Sequence, residues 1–192
     1  MEHRDLLKES VNKMLDWIKS DGCSPGERAA LRRMDSQRTG RVLPGAFWKL
    51  LVSQEIFPEG EGETRAWEAI LQGMALSADV SSGEAPSFAR ALGTADAALV
   101  GTTSEDRLIR MLQAQGERFY DLLRGMVRFC ASRGISFSWG DLARLCLAQN
   151  SEQRRKTCEH LAQDYYLARF RAQAVAEKQQ SQTNHEEENI DE

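Results

Sequence analysis

Apolar side chains recur at intervals of three and four residues along most of the chain, and this periodicity restricts the fold more than any other feature. One stripe consists of Leu7, Val11, Met14, Leu15 and Ile18. Another consists of Trp67, Ile70, Leu71 and Met74. Both have the spacing of one face of an α-helix, and no stretch shows the convincing alternation that a β-strand requires. The sequence therefore predicts an all-α protein, an elongated helical bundle.

Capping residues predict where several helices begin and end. The stretch SPGE, Ser24–Glu27, has the pattern of a capping box with proline in the first turn, and it opens a short helix over GERAALRRM. Ser104 is the expected cap of EDRLIRMLQAQ, and Ser138 with Asp141 forms a weaker box before WGDLARLCLAQ. Gly134 is placed to close the helix over residues 117–133.

The distribution of small residues predicts two lobes. Residues 79–103 are rich in Gly, Ser, Ala and Pro and contain one short helical piece, APSFARALG. This linker separates an N-terminal helical lobe, residues 1–100, from a C-terminal helical lobe, residues 101–180, which ends in a long helix starting at Ser151. The acidic segment 181–192 is predicted to be a disordered tail.

Several functional classes find no support in the sequence. No apolar run approaches the roughly 18 residues of a membrane span, and the charged start MEHRDLLKES does not have the pattern of a secretory signal, which predicts a cytoplasmic protein without membrane contact. The four cysteines contain no CxxC pair, and Cys158 and His160 would lie on different faces of a helix. We therefore expect the cysteines to be buried free thiols, and we expect no metal site and no cofactor. We also expect no enzyme, because the phosphate-binding and nucleophile motifs of known enzyme classes are missing.

The net charge of −4 conceals a basic body. Residues 181–192 contain five acids and no Lys or Arg, so the other 180 residues carry 25 basic and 24 acidic side chains. Of the basic residues 19 are arginine and 6 are lysine. Arginine has the planar, fork-shaped donor geometry that suits phosphate. This bias favours a polyanionic partner.

Several arginines lack the local acid that would explain them as half of a helical ion pair. No acid lies three or four residues from Arg28, Arg33, Arg107, Arg128 or Arg154. Other basic residues do have such a neighbour: we expect pairs between Asp106 and Arg110, Glu152 and Lys156, Arg155 and Glu159, Arg32 and Asp35, and Arg124 and Asp121. Unpaired arginines on helices predict phosphate binding, unless tertiary partners neutralise them. The candidate nucleic-acid-binding residues are Arg28, Arg32, Arg33, Arg107, Arg110, Arg124, Arg128, Arg154 and Arg155, with Arg38 and Arg41 beside the first group.

Several segments follow one another in an informative order. They are Trp17 followed by GERAALRR, Phe47 with Leu50 and Leu51, PSFARALG, SEDRLIRMLQA with DLLRGMV, and WGDLARLCLAQNSEQRRKTCEHLAQDYY. In this order the chain resembles the CasB family, the small subunit of the type I-E CRISPR surveillance complex called Cascade. The resemblance covers most of residues 10–170. Ala148 and Leu161 stand where tryptophan would be expected, at positions that we interpret as core.

The resemblance implies a helical, non-catalytic subunit of a ribonucleoprotein in antiviral defence. Family members sit in pairs, contact the crRNA–target heteroduplex region and help hold the displaced DNA strand. The implied partners are therefore crRNA, the target and non-target DNA strands, the backbone and large subunits of Cascade, and a second copy of the chain. By position in the family motifs, the resemblance assigns nucleic-acid contacts to Arg32, Arg33, Arg107, Arg110, Arg154 and Arg155. Arg28, Arg124 and Arg128 are candidates from the charge argument alone.

Two further interpretations remain open at this point. The chain could be a helical scaffold that binds only proteins, with its arginines paired to acids on those partners. It could also be a helix-turn-helix transcription factor that uses residues 25–51 as the reader, although the loop DSQRTGRVLPG is long for the turn of that motif.

Overall fold

Nine helices form the part of the chain that the computed structural model describes, residues 2–34, 42–98 and 104–188. Side chains are described for residues 6–34, 42–98 and 104–179. The helices are α1 Glu2–Lys19, α2 Pro25–Arg32, α3 Gly45–Ser53, α4 Glu61–Leu76, α5 Phe88–Ala98, α6 Glu105–Gln113, α7 Gly116–Arg133, α8 Gly140–Cys146 and α9 Ser151–Glu188. The only β-type pairing within these ranges is an isolated bridge between Ser87 and Ser138. The all-α prediction is confirmed.

The capping predictions are confirmed at two helix ends, confirmed in position alone at a third, and wrong at a fourth. Ser24 and Glu27 close a capping box at the start of α2, and Gly134, with φ of 65°, ends α7 in the left-handed conformation that glycine adopts without strain. Ser104 lies at the N-cap position of α6, as predicted, but its side chain makes no capping hydrogen bond, because its hydroxyl donates to the buried carboxylate of Asp96 at 2.9 Å. Ser138 does not cap α8, because it lies one residue too early and takes part in the bridge.

A single hydrophobic core connects helices from both predicted lobes. The stripes of α1 and α4 are buried, as the sequence predicts, and Trp139, next to α8, packs against Gly73 of α4 so closely that a Cβ there would overlap the indole ring. Leu161 lies in this core, whereas Ala148 is only half-buried. Among the described residues, one connected core thus spans the proposed boundary. The two-lobe division stays a prediction, and residues 99–103 lie outside the described part.

Helix α5, in the segment predicted as a linker, packs along α9. A Cβ on Gly93 would collide with the main-chain carbonyl of Tyr165, so glycine is what allows the two backbones to approach. The buried Asp96 carboxylate accepts a hydrogen bond from the Tyr165 hydroxyl and two from Ser104, which fixes the start of α6 to the same place. This network holds α6 against α9.

Helix α9 continues beyond the end predicted near Gln180. It is helical through Glu188, and residues 189–192 lie outside the described part. The disorder of the acidic tail stays a prediction. Glutamate and glutamine are good helix formers, and a helix already nucleated by packing extends at little cost. Composition alone indicated a solvated tail and did not account for that continuation.

Candidate nucleic-acid interface

Two arginines from different helices meet over one aromatic ring. The guanidinium carbon of Arg107 on α6 lies 5.0 Å from the ring centroid of Phe129 on α7, and that of Arg133 lies 5.7 Å from the same centroid. Both distances fall within the range of a cation–π contact. Neither arginine has an ion pair among the described residues. The packing of α6 on α7 thus holds two positive charges together that no protein carboxylate there neutralises.

Arg110 extends this surface by one turn of α6. It lies three residues after Arg107 and therefore on the same face of the helix. The predicted ion pair with Asp106 is not formed: the Arg110 Nε donates instead to the main-chain carbonyl of Asp106, at 3.2 Å. We call Arg107, Arg110, Phe129 and Arg133 the α6–α7 surface.

Arg133 was not among the candidates from the sequence, although a signal for it exists. No acid lies three or four residues away from it, and Phe129 stands four residues before it on α7. The criterion that selected Arg107 and Arg128 would have selected Arg133 as well. Its position in the last turn of α7 is also favourable for a cation, because the carbonyl end of the helix carries partial negative charge.

Arg124 and Arg128 of α7 face away from the α6–α7 surface. Arg124 is partly buried and pairs with Asp121 at 3.1 Å, as predicted. Arg128 is exposed and has no ion pair among the described residues. At about 100° per residue, Arg128 points about 140° away from Arg133 around the helix axis, so it cannot join the same surface.

The arginines of α2 bond to main-chain carbonyls. Arg28 donates to the carbonyl of Ser20 at 3.3 Å, Arg32 to that of Ala75 at 2.7 Å, and Arg33 to that of Ala29 at 3.1 Å. The Ala75 carbonyl lies in the last turn of α4, where four carbonyls have no partner within the helix. Arg32 thus links α2 to the end of α4. Arg38 and Arg41, and the Asp35 expected to pair with Arg32, lie outside the described residues.

The arginines at the start of α9 are also engaged. Arg154 donates to the carbonyl of Ala114 at 2.7 Å, and its guanidinium lies 4.4 Å from the centroid of the Phe119 ring. These contacts fix the first turn of α9 to the connection between α6 and α7. Arg155 forms the predicted ion pair with Glu159. The pair of Lys156 with Glu152 is formed as well.

The structure therefore gathers part of the predicted track and leaves the rest apart. Among the described residues, Arg107 and Arg133 meet over Phe129, and Arg110 lies on the same face of α6 as Arg107, whereas Arg128 points to another side of α7. Arg28, Arg32, Arg33, Arg124, Arg154 and Arg155 each have a protein acceptor. Their role in nucleic-acid binding stays a prediction.

The thiols have the surroundings predicted for structural cysteines. All four are free, and Cys23, Cys130 and Cys146 are buried. Burial raises the pKa of Cys130 and of Cys146 to about 12, because a thiolate would lose its hydration there. Both are therefore protonated and unreactive at neutral pH.

Among the described residues, no helix is both long enough and apolar enough to traverse a bilayer.

Comparisons with known proteins agree with the resemblance read from the sequence. The family model described as CRISPR-associated protein Cse2 matches residues 27–166. A solved structure of CasB from Thermobifida fusca has a similar fold, with a TM-score of 0.54 and 15% sequence identity over 85% of this chain and 97% of that chain. No curated protein matches the chain. Because the family model covers more than half of the sequence, the chain belongs to the CRISPR-associated Cse2 (CasB) family, and this membership implies a subunit of the type I-E Cascade complex.

Proposed function

We propose that this chain is a non-catalytic Cascade subunit of antiviral defence that binds the sugar-phosphate backbone of nucleic acid without reading its sequence. It stabilises the R-loop, in which crRNA pairs with the target DNA strand and the other strand is displaced. It acts in the cytoplasm beside the backbone and large subunits, together with a second copy of itself. Arg107, Arg110 and Arg133 make the principal phosphate contacts.

The convergence of Arg107 and Arg133 on Phe129 is the observation that carries this proposal. The two distances to the ring centroid put the guanidinium groups no more than about 11 Å apart, which corresponds to roughly three nucleotides at 3.4 Å each. Like charges held this close repel each other unless an anion lies between or beside them. Two oxygens of one phosphate can accept the two parallel N–H bonds that the fork of a guanidinium donates.

Such contacts suit a subunit that does not need to recognise bases. In RNA-guided complexes base pairing reads the sequence, and exchanging a DNA duplex for the heteroduplex is nearly balanced in free energy. A few backbone contacts can therefore decide how long the opened state persists. Each arginine that neutralises a phosphate also releases a counterion, which makes the binding salt-dependent and indifferent to base identity.

A protein-only scaffold is the second candidate, and exposed apolar side chains favour it. Trp48 and Val52 lie one turn apart on α3, and they are 44% and 54% exposed. Phe57, shortly after that helix, is 69% exposed. Membership in Cascade implies contacts with other subunits, and such side chains are suited to them. This scaffold role is compatible with nucleic-acid binding, so the experiment must test whether nucleic acid is bound at all.

The test compares two double variants in the assembled complex. Arg107→Ala with Arg133→Ala removes two charges from the α6–α7 surface. Lys13→Ala with Lys156→Ala removes two exposed charges that are paired with glutamates on α1 and α9. We expect the first variant to assemble normally but to release the displaced strand faster, as measured by single-strand footprinting and dissociation rate. Equal retention by the wild type and both variants would leave only the scaffold role.

A further inference from the structure

A polar groove lies on another part of the molecule, where α5, α8 and α9 meet. It has a volume of about 450 Å³ and shares no residue with the α6–α7 surface. Three of its residues, Asp141 of α8 and His160 and Asp164 of α9, bring their ligand atoms within 4.8 Å of one another. The sequence predicts no metal site, because its cysteines include no CxxC pair and Cys158 and His160 lie on different faces of a helix. Asp141 reaches His160 only through the packing of α8 on α9, which those spacings do not reveal.

The geometry of these three side chains is close to that of a metal site. His160 and Asp164 lie one helical turn apart, with Nε2 3.8 Å from Oδ2. Zn²⁺ binds histidine nitrogen and carboxylate oxygen at about 2.0–2.2 Å, which places neighbouring ligand atoms about 3.0–3.5 Å apart. A small rotation of the His160 side chain, which is 48% exposed, closes that gap. Asp141 approaches from the facing helix and supplies the third ligand.

The aspartates are already oriented by donors that line the same groove. Arg90 donates to Asp164 Oδ1 at 2.9 Å, and Arg144 donates to Asp141 Oδ1 at 3.0 Å. Ser87 donates to Asp164 Oδ2 at 3.0 Å. A carboxylate has about four acceptor positions on its two oxygens, so a metal ion can bind without displacing the arginines. Outer donors of this kind fix the direction of metal ligands in known sites.

The same arginines limit the affinity of the site. Together with Lys8, which also lines the groove, they outnumber the two aspartates and oppose an added cation, so the site is weaker than one with four ligands and no basic neighbours. Its binding therefore depends strongly on the imidazole nitrogen, which is the one ligand that no arginine contacts. This dependence makes His160 the most informative position for a test.

We propose that Asp141, His160 and Asp164 bind one Zn²⁺ ion in an open site with three protein ligands, the remaining position being taken by water. The ion ties α8 to α9 and stabilises the fold at this groove. The proposal is independent of the nucleic-acid interface, because neither its residues nor its test involves the α6–α7 surface.

The test uses the full chain, freed of metal with a chelator and then dialysed against Zn²⁺ alone. We expect one equivalent to bind, and we expect the melting temperature to rise with bound Zn²⁺. His160→Ala and Asp141→Asn should each weaken the affinity by about tenfold or more. Substitution with Co²⁺ adds visible absorption bands that report the coordination geometry of the bound ion, and these bands should be lost in His160→Ala.

Glu159→Gln is the matched control. Glu159 is an exposed carboxylate beside His160 on α9, and it is engaged with Arg155 rather than with the groove. It should bind Zn²⁺ like the wild type. Circular dichroism checks that each variant is folded. Absence of saturable binding in the wild type, or unchanged affinity in folded His160→Ala, would overturn the proposal.

Discussion

The salt dependence of binding is the most direct measure of the α6–α7 surface. If Arg107, Arg110 and Arg133 each neutralise one phosphate of a single strand, the logarithm of the binding constant should fall with the logarithm of salt concentration at a slope of about −2.1. Between 50 and 200 mM salt the affinity should then fall about 20-fold. Arg107→Ala with Arg133→Ala leaves one contact, a slope of about −0.7 and a loss of about 2.5-fold over the same range.

Fluorescence anisotropy with several unrelated single strands, on the complex with and without the chain, measures these slopes. Lys13→Ala with Lys156→Ala is the control, and its slope should equal that of the wild type. The reasoning is refuted if the arginine variant keeps the wild-type slope, or if the control flattens the slope equally. A strong preference for one strand sequence would also contradict it, because backbone contacts carry no base information.

Three further predictions concern the fold. Gly93→Ala should lower the free energy of unfolding in urea by about 1–3 kcal/mol, since the added methyl group meets main chain that cannot move aside, whereas Gly125→Ala, in open space on α7, should raise it by about 0.5–1 kcal/mol. The hydrogen bonds from Lys49 and Ser24 lower the pKa of Glu27 to about 2, below its value in the unfolded chain. The stabilisation that ionised Glu27 gives to α2 is therefore complete above about pH 4.5 and is lost as the pH falls towards 2. Thermal melts of Glu27→Gln should not show that loss at low pH. In alkylation of the native protein, half-buried Cys158 should react before Cys130.

Helix positions were predictable because each depends on local sequence. The capping box at Ser24 and the left-handed Gly134 need only neighbouring residues, and the apolar stripe of α4 needs only its own period. Ser104 shows where this approach fails. Its hydroxyl could serve either the helix that follows or a distant acceptor, and only the fold brings Asp96 close enough to take it.

The packing of α5 on α9 could not be predicted for a related reason. A segment rich in Gly, Ala and Ser has the composition of a linker, but small residues also allow two helices to approach closely. Gly93 shows that close helix packing is the case here, because a side chain at that position would collide with the main chain of Tyr165. No property of residues 79–103 alone identifies that partner.

The partners of the arginines also depend on the fold, and they change the number of phosphate contacts that we expect. Spacing along a helix tests only for local carboxylates, so it cannot detect that Arg32 bonds to the carbonyl of Ala75 or that Arg154 bonds to that of Ala114. If all nine arginines predicted from the sequence contacted phosphates, the slope of log affinity against log salt would be about −6 on a single strand. If only the α6–α7 surface does so, the slope is about −2. These values are far enough apart for one titration to decide whether the carbonyl-bonded arginines also leave their acceptors for nucleic acid.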